Sequence, residues 1–533
     1  MLKKPGYKIL ICSLYLFAAV SLAEARTLLF VPADNRPVSL EYAVDTVKAA
    51  NFDILVPPEE YLAGRGRTGE PEQIWDWLNE NAPKAEALVL SADTLIYGGL
   101  VDSRTHDFSD YLLNWRMRRF ERLRQRNPQV RIYVFSTIMR SPHGTAGGVE
   151  PAYYETYGPD IFRLTALEDK AESAGLSPDE KQTLHSLQTT VPADYLADWL
   201  QRRNKNFRVN AKLVELAKGK AFDYLLIGRD DTSPYSQSHK ESRLLEKMAA
   251  PLSSAAYGSF PGADQLGMVL LARAYNELNG SKPVVEIQYT LGAGPSTVAS
   301  YEDQPVDRTL RDHIMAAGGL VARQSPHPDL VLAVNTPLSN RTPEAGVFEN
   351  LPLHSEATNQ FVLDIAKRLR AGEAVAVADI AFANGADNSF LKELYDQGLL
   401  DKLSAYSGWN TASNTLGYAI GQGMMARDMS DAARKRLLLV RYLDDWAYQA
   451  NVRKEIYREM FSDEQRSPEY LNWHEEEVTA LTDARIKAFA RQYLWVDPAV
   501  INISFPWNRM FEIEVAIGKG EQDQEQGTDA KEK

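Results

Sequence analysis

The sequence predicts an α/β protein built from parallel sheets with helices on both faces. Three observations lead there. Short apolar runs of strand length alternate with helix-length stretches through most of the 533 residues. The runs are apolar at successive positions rather than alternate ones, the pattern of a strand buried on both faces. The chain is also too long for one small core, so two lobes or one large unit are required.

In chain order, the first strands expected are TLLFVP (27–32), DILVP (53–57), ALVLS (87–91), RIYVFS (131–136) and YLLIG (224–228). A second set follows: VVEIQY (284–289), LVAR (320–323), LVLAV (330–334), AVAVAD (374–379) and LSAYS (403–407). Helices are expected between them, at 40–50, 109–126, 264–279, 305–317, 355–371 and 411–427. Residues 151–221 break the rhythm with helical sequence and are expected as an insertion that covers a site or merely decorates the lobe. Residues 430–497 are again helical, and RMFEIEVAI (509–517) is a last strand candidate.

The two sets resemble each other. ADNRPVSLEYAVDTVKAANFDIL (33–55) parallels YEDQPVDRTLRDHIMAAGGLVAR (301–323), and ALVLSADT (87–94) parallels DLVLAVNT (329–336), placing Asp93 opposite Asn335. An internal duplication would account for this, as would the small residue alphabet that parallel strands and their loops share. The expectation is two doubly wound lobes of the Rossmann or flavodoxin kind, residues 26–282 and 283–429, followed by C-terminal helices and a final strand at 430–517. The alternative is an elaborated (β/α) barrel.

The termini speak to location. Residues 1–25 carry Lys3, Lys4 and Lys8, an apolar stretch through Val20, and the small-x-small site Ala23-Glu24-Ala25, the layout of a secretory signal peptide. A periplasmic or secreted protein is expected, without a stable membrane anchor once that segment is cleaved. Cys12, the single cysteine, lies inside it, so the mature chain has neither disulfides nor a thiol nucleophile. A net charge of −13 makes nucleic acid an unsuitable partner. The polar tail 518–533 is expected to be disordered.

Parallel α/β sheets bind ligands at the C-terminal ends of their strands. That rule selects Asp34, Asn35 and Arg36 after the first strand, Asp93, Tyr97 and Arg104 after the third, and Arg140 after the fourth. Asp230 and Asp231 follow the fifth, and Asp264 heads a helix. The second half contributes Asn335, Asp379, Asn384, Asp387, Trp409, Asn410 and Thr411. Each has a plainer structural role available. Asp34 and Asp264 suit helix caps, Asn384-Gly385 suits a turn, and Arg104 and Arg140 suit ion pairs. The adjacent Asp230 and Asp231 are different, because a cap needs only one carboxylate.

Carboxylates, amides and aromatic faces together suit a polyhydroxylated, small-molecule or oligosaccharide ligand. The expectation is therefore an exported hydrolase acting on a carbohydrate or glycoconjugate. Asp231 would be general acid, with Asp230 as its orienting or second carboxylate, and no cofactor is needed. One rival is a hydrolase using one divalent metal ion, held by Asp34, Asp93, Asp230 or Asp231 with His106, His143 or His239 near; no His-x-x-x-His spacing supports it. The other is a non-catalytic, two-lobed sugar-binding protein. The sequence contains no G-x-S-x-G elbow and no G-x-x-x-x-G-K-[ST] loop.

At PADNRPV, SADTLIYGGLVDSRTH, IGRDDTSPY, PGAD, FANGAD, GWNTASNTLG and FPWNRMFE the chain resembles the bacterial family known as domain of unknown function 4127. The resemblance runs from about Thr27 to about Gly518. It implies no particular reaction, but it marks these strings as signature segments, and they coincide with the strand ends selected above.

Overall fold

The computed structural model describes residues 26–144, 148–462 and 466–518. The export segment expected at 1–25 and, beyond Gly518, the tail lie outside the described residues. Among the described helices none is long and apolar enough to cross a membrane.

Among the described residues, eleven parallel strands form two sheets. The first contains β1 (Thr27–Val31), β2 (Asp53–Leu55), β3 (Ala87–Ser91), β4 (Arg131–Ile138), β5 (Tyr224–Arg229) and β6 (Tyr257–Pro261), in the order β2-β1-β3-β4-β5-β6. The second contains β7 (Val284–Tyr289), β8 (Leu320–Ala322), β9 (Leu330–Asn335), β10 (Val375–Asp379) and β11 (Ala405–Ser407), in the order β11-β10-β9-β7-β8. Counted from its own first strand, the second sheet reads 2-1-3-4-5, the doubly wound order that the first sheet also follows before adding β6. An antiparallel ribbon of β12 (Ile501–Ser504) and β13 (Glu514–Ile517) closes the chain. β13 is shorter than the strand expected over 509–517. β6 was not expected, because YGSFP carries turn residues; it lies at the sheet edge and Pro261 ends it, where a missing N–H is tolerated.

Strand periodicity distributes the side chains to two faces. Leu28 and Phe30 of β1 enter the core between the sheets, whereas Leu29 and Val31 enter the outer core of the first lobe. Leu332 and Ala376 of the second lobe likewise face inward, and Val331 and Val375 outward. Four helices fill the space between the sheets: Glu41–Ala49 and Leu266–Leu278 from the first lobe, Val306–Ala316 and Ala412–Met425 from the second. One continuous apolar core therefore runs through both lobes. Residues 412–425 are buried on every side, which is why that helix is apolar or small all round rather than amphipathic.

The two parallel segments noticed in the sequence occupy equivalent places. The loop after β1 is tied to the helix at 266–278 through Arg36 and Asp264, 2.7 Å apart. The loop after β7 is tied to the helix at 412–425 through Glu302, which accepts from the Ser413 amide and hydroxyl at 2.9 Å each. Among the described residues Glu302 has no cation in contact, and burial pushes its carboxyl up to about 8. A carboxyl raised above its unfolded value stabilises most below about pH 4.5, and that contribution is lost as pH climbs through about 8. Glu302→Gln keeps the shape and removes the titration. Its melting temperature is expected to fall less than the parent's between pH 5 and pH 8.5; parallel curves from thermal scans would contradict this.

The insertion is three helices, Tyr154–Ser173, Pro178–Thr190 and Ala193–Lys218, between β4 and β5. They enclose a small core of their own around Tyr154, Ile161, Leu164 and Trp199.

Candidate functional site

The C-terminal ends of both sheets open toward one cavity of about 320 Å³. The first lobe lines it with Arg36, Arg104, Arg140, Asp230, Asp231 and Asp264. The second adds Tyr301, Asn384, Asn410, Thr411 and Asn414, and the remaining side is closed by Glu469, from the loop before the helix Glu475–Tyr493, and by Trp507, Arg509 and Phe511 between β12 and β13. Nine of the residues selected from strand ends thus meet here: Arg36, Arg104, Arg140, Asp230, Asp231, Asp264, Asn384, Asn410 and Thr411.

The run Arg229-Asp230-Asp231 divides its labour. Arg229, the last residue of β5, turns to the second lobe and pairs with Asp303 through two contacts of 2.8 and 2.9 Å. Arg229 and His239 hold the Asp303 carboxyl well below the usual range despite its burial. Asp230 and Asp231 remain with the cavity. Asp230 pairs with Arg104, and Asp231 with Arg140 Nη1 at 3.0 Å. Glu150 joins the two arginines, accepting from Arg140 Nε at 2.5 Å and Arg104 Nη1 at 3.3 Å. The result is an alternating chain, Asp230–Arg104–Glu150–Arg140–Asp231. Burial pushes the Asp230 carboxyl up; Arg104 opposes that and the charge of Asp231 adds to it. Asp231 has a φ of 35°, in the left-handed region that non-glycine residues rarely occupy, as do Tyr301 at 67° and Asn384 at 58°. Such backbone persists where the surroundings enforce it, and such sites cluster around ligand clamps.

A second adjacent pair, Asp444-Asp445, shows the purely structural version. Both are buried and face Arg441, Asp444 also takes the Tyr42 hydroxyl at 2.8 Å, and Asp445 takes the Gly408 amide at 2.7 Å. Asp230 and Asp231 differ by reaching the cavity, with side chains 12% and 19% exposed.

The helical insertion positions Arg140. Arg203, on the helix at 193–218, donates to the Met139 and Arg140 carbonyls at 2.8 Å each and is itself held by Glu241 at 2.8 and 2.9 Å. Asn206 accepts from the Met139 amide at 3.1 Å. The insertion's helices thus grip the loop that bears Arg140 without lining the cavity themselves.

Other selected residues stand behind the wall. Asp34 is buried and holds Arg36, with 2.7 Å between Asp34 Oδ2 and Nη2, instead of capping the helix at 41–49. Asp264 likewise binds Arg36 and, at 3.3 Å, Asn414 instead of capping. Asn35 accepts from Trp507 Nε1 at 2.8 Å and so pins the closing segment to the first lobe. Asp93 is sealed under the cavity, accepting from the Thr137 amide and hydroxyl at 3.0 and 2.7 Å, and burial pushes it up to about 7. Tyr97 and Trp409 are buried in packing and do not line the cavity. Asp387 caps the helix at 388–396, and its other oxygen meets Asn335 at 3.1 Å. Asp379 and Asn335 are buried beside it.

The residues considered for a metal do not converge. His106 stacks on Tyr97, His143 packs against Phe162, and His239 bonds Asp303. Among the described residues no three His, Cys, Asp or Glu side chains form a group that could hold an ion.

Sequence reasoning missed Glu150, Tyr301, Asn414, Glu469, Trp507, Arg509 and Phe511 as site residues. Three of them stand in FPWNRMFE, Asn414 stands in GWNTASNTLG and Tyr301 opens YEDQPV, strings already marked by the family resemblance or by the internal repeat; Glu150 and Glu469 carry no such signal. Comparison with known proteins bears out the family resemblance itself. Neither the curated proteins nor the solved structures contain a match to the chain. The family described as protein of unknown function (DUF4127) matches residues 28–516, nearly the whole chain, and the chain belongs to that family.

Proposed function

We propose that the cavity is the active site of an exported, periplasmic or secreted hydrolase acting on a carbohydrate or glycoconjugate. The observation that carries this reading is the pairing of a carboxylate couple with unspent hydrogen-bonding capacity in one cavity. Among the described residues, Arg104 Nε, Arg140 Nη2, Asn384 Oδ1 and Asn414 Oδ1 are buried and lack a partner. They offer two donors and two acceptors, and a ligand rich in hydroxyls satisfies both kinds at once. Trp507, Tyr301 and Phe511 add aromatic surface to the same cavity.

The environments of the two acids favour a division of labour opposite to the one read from sequence. Asp230 is the carboxyl that burial and its neighbour push toward the protonated form, so it takes the role of proton donor to the leaving oxygen. Asp231, more open to the cavity and oriented by Arg140, is the second carboxylate, which steadies the developing positive charge or the nucleophile. Substitution tests the pair: Asp230→Asn and Asp231→Asn are each expected to lower turnover of a chromogenic glycoside at least about 100-fold. Parent-like rates in both variants would remove the assignment.

Two observations weigh against the rivals. The shared core and the four helices packed between the sheets oppose the hinge closure of a two-lobed binding protein. A metal-dependent reaction would have to free its ligands on binding, since Asp230, Asp231 and Asp264 are each engaged with an arginine.

A further inference from the structure

Beyond Asn384 a second pocket of about 360 Å³ adjoins the cavity, lined by Glu344, Asn384, Arg453, Lys454, Tyr457 and Arg458 among others. Its charge is unlike that of its neighbour. In the main cavity Arg36, Arg104, Arg140 and Arg509 each meet a carboxylate within 3.3 Å or less. In the second pocket Arg453, Lys454 and Arg458 make no ion pair among the described residues, and Arg453 donates to the neutral Gln449 at 2.9 Å. The pocket's carboxylate, Glu344, is engaged by the Tyr301 hydroxyl at 3.0 Å and Asn384 Nδ2 at 2.8 Å.

The cations share one helix, Arg453–Met460, and Lys454 and Arg458 stand four residues apart on one face. Like charges at that spacing oppose the helix, so an anion between them relieves a repulsion already built in. Burial and Arg458 hold the Lys454 ammonium below its ordinary value. The two pockets also adjoin across shared side chains. Asn384 belongs to both walls, and Arg453 lies over the ring of Phe511, 5.1 Å from its centroid, which lines the main cavity.

We infer that this pocket is an anion subsite of the proposed active site, and that the ligand carries a phosphate or carboxylate substituent on the unit reaching past Asn384 and Glu344. The inference rests on the carbohydrate reading for the rest of the ligand, but not for the subsite itself.

Calorimetric titration of the full chain with inorganic phosphate, glucose, glucose 6-phosphate and glucuronate tests it. At low ionic strength at least one anionic sugar is expected to bind about tenfold or more tightly than glucose, with the advantage fading as salt is added. The stronger of the two identifies the group. In Lys454→Gln/Arg458→Gln that preference is expected to fall to about onefold, whereas Lys454→Arg keeps it. Equal affinities for charged and neutral sugars in the parent overturn the subsite and leave the proposed function standing. Phosphate binding that the double variant abolishes, with no sugar bound at all, sustains the subsite and removes the carbohydrate reading. Binding of none of the four, or phosphate binding unchanged in the double variant, overturns the subsite.

Discussion

Arg36→Met is expected to cost about 3–5 kcal/mol of folding stability at neutral pH. Arg36 is the one cation shared by Asp34 and Asp264, with Nη2 2.7 Å from an oxygen of each. All three side chains are buried. Methionine preserves much of the stem's packing, so what is lost is the guanidinium. Two carboxylates then remain in a low-dielectric site with each other as neighbours. Asp264 is already pushed up by burial, with Arg36 the main opposing influence. Removing that influence raises it further, so the variant's deficit is expected at neutral pH and should shrink as acid protonates the pair. Urea unfolding of parent and variant at pH 7.5 and pH 4.5 measures both parts. An equal deficit at the two values would show that packing, not charge, explains the loss. Because Arg36 also lies under Trp507, 5.3 Å from its ring centroid, the variant should bind ligand poorly even where it folds.

That same triad shows how far residue order alone reaches. The strand ends could be read because a parallel strand buried on both faces has a distinctive composition, and the ligand rule for α/β sheets then names the residues just beyond each strand. Arg36, Arg104, Arg140, Asp230, Asp231, Asp264, Asn384 and Asn410 follow from it. Which of the neighbours at a strand end faces the cavity does not. Asp93 sits one turn from β3, in a helix that starts immediately at Ala92, and its carboxylate meets β4 instead. Asp34 and Asp264 looked like caps because a cap and an ion pair draw on the same residue. The partner that decides between them, Arg36, lies 228 positions from Asp264. The closing segment is the extreme case: Trp507 reaches Asn35 across 472 positions. No periodicity connects residues that distant. The internal repeat was legible in short strings, yet its consequence, two identically wound sheets meeting at one mouth, depends on how the helices between them dock.

That docking depends on glycine, and Gly417→Leu is expected to disrupt it at a cost of about 3 kcal/mol or more. Gly417 lies on the helix at 412–425 where it crosses the helix at 266–278. A Cβ there would fall 2.3 Å from Gln265 Cγ and 2.5 Å from Gln265 Cβ. The second distance matters most, because a Cβ is fixed to its backbone and cannot swing away. Gln265 is itself confined, donating to the Pro261 carbonyl at 3.1 Å and lying 3.0 Å from His313 Nε2, so rotating it breaks further bonds. Gly421 repeats the close approach one turn on, against Met268 Cγ at 2.5 Å, and Gly423 meets Ala376 Cβ of the second sheet at 2.9 Å. Side chains along this stripe would push the helices apart and open the core shared by both lobes. Interiors packed this densely do not absorb four extra carbons locally. Gly219→Ala is the matched control, since a Cβ there meets nothing closer than 3.4 Å. It is expected to stay within about 0.5 kcal/mol of the parent. If Gly417→Leu unfolds at the parent's denaturant midpoint, the lobes are not held by this helix pair. The resistance to hinge motion that separates the hydrolase reading from a two-lobed binding protein would then lose its basis.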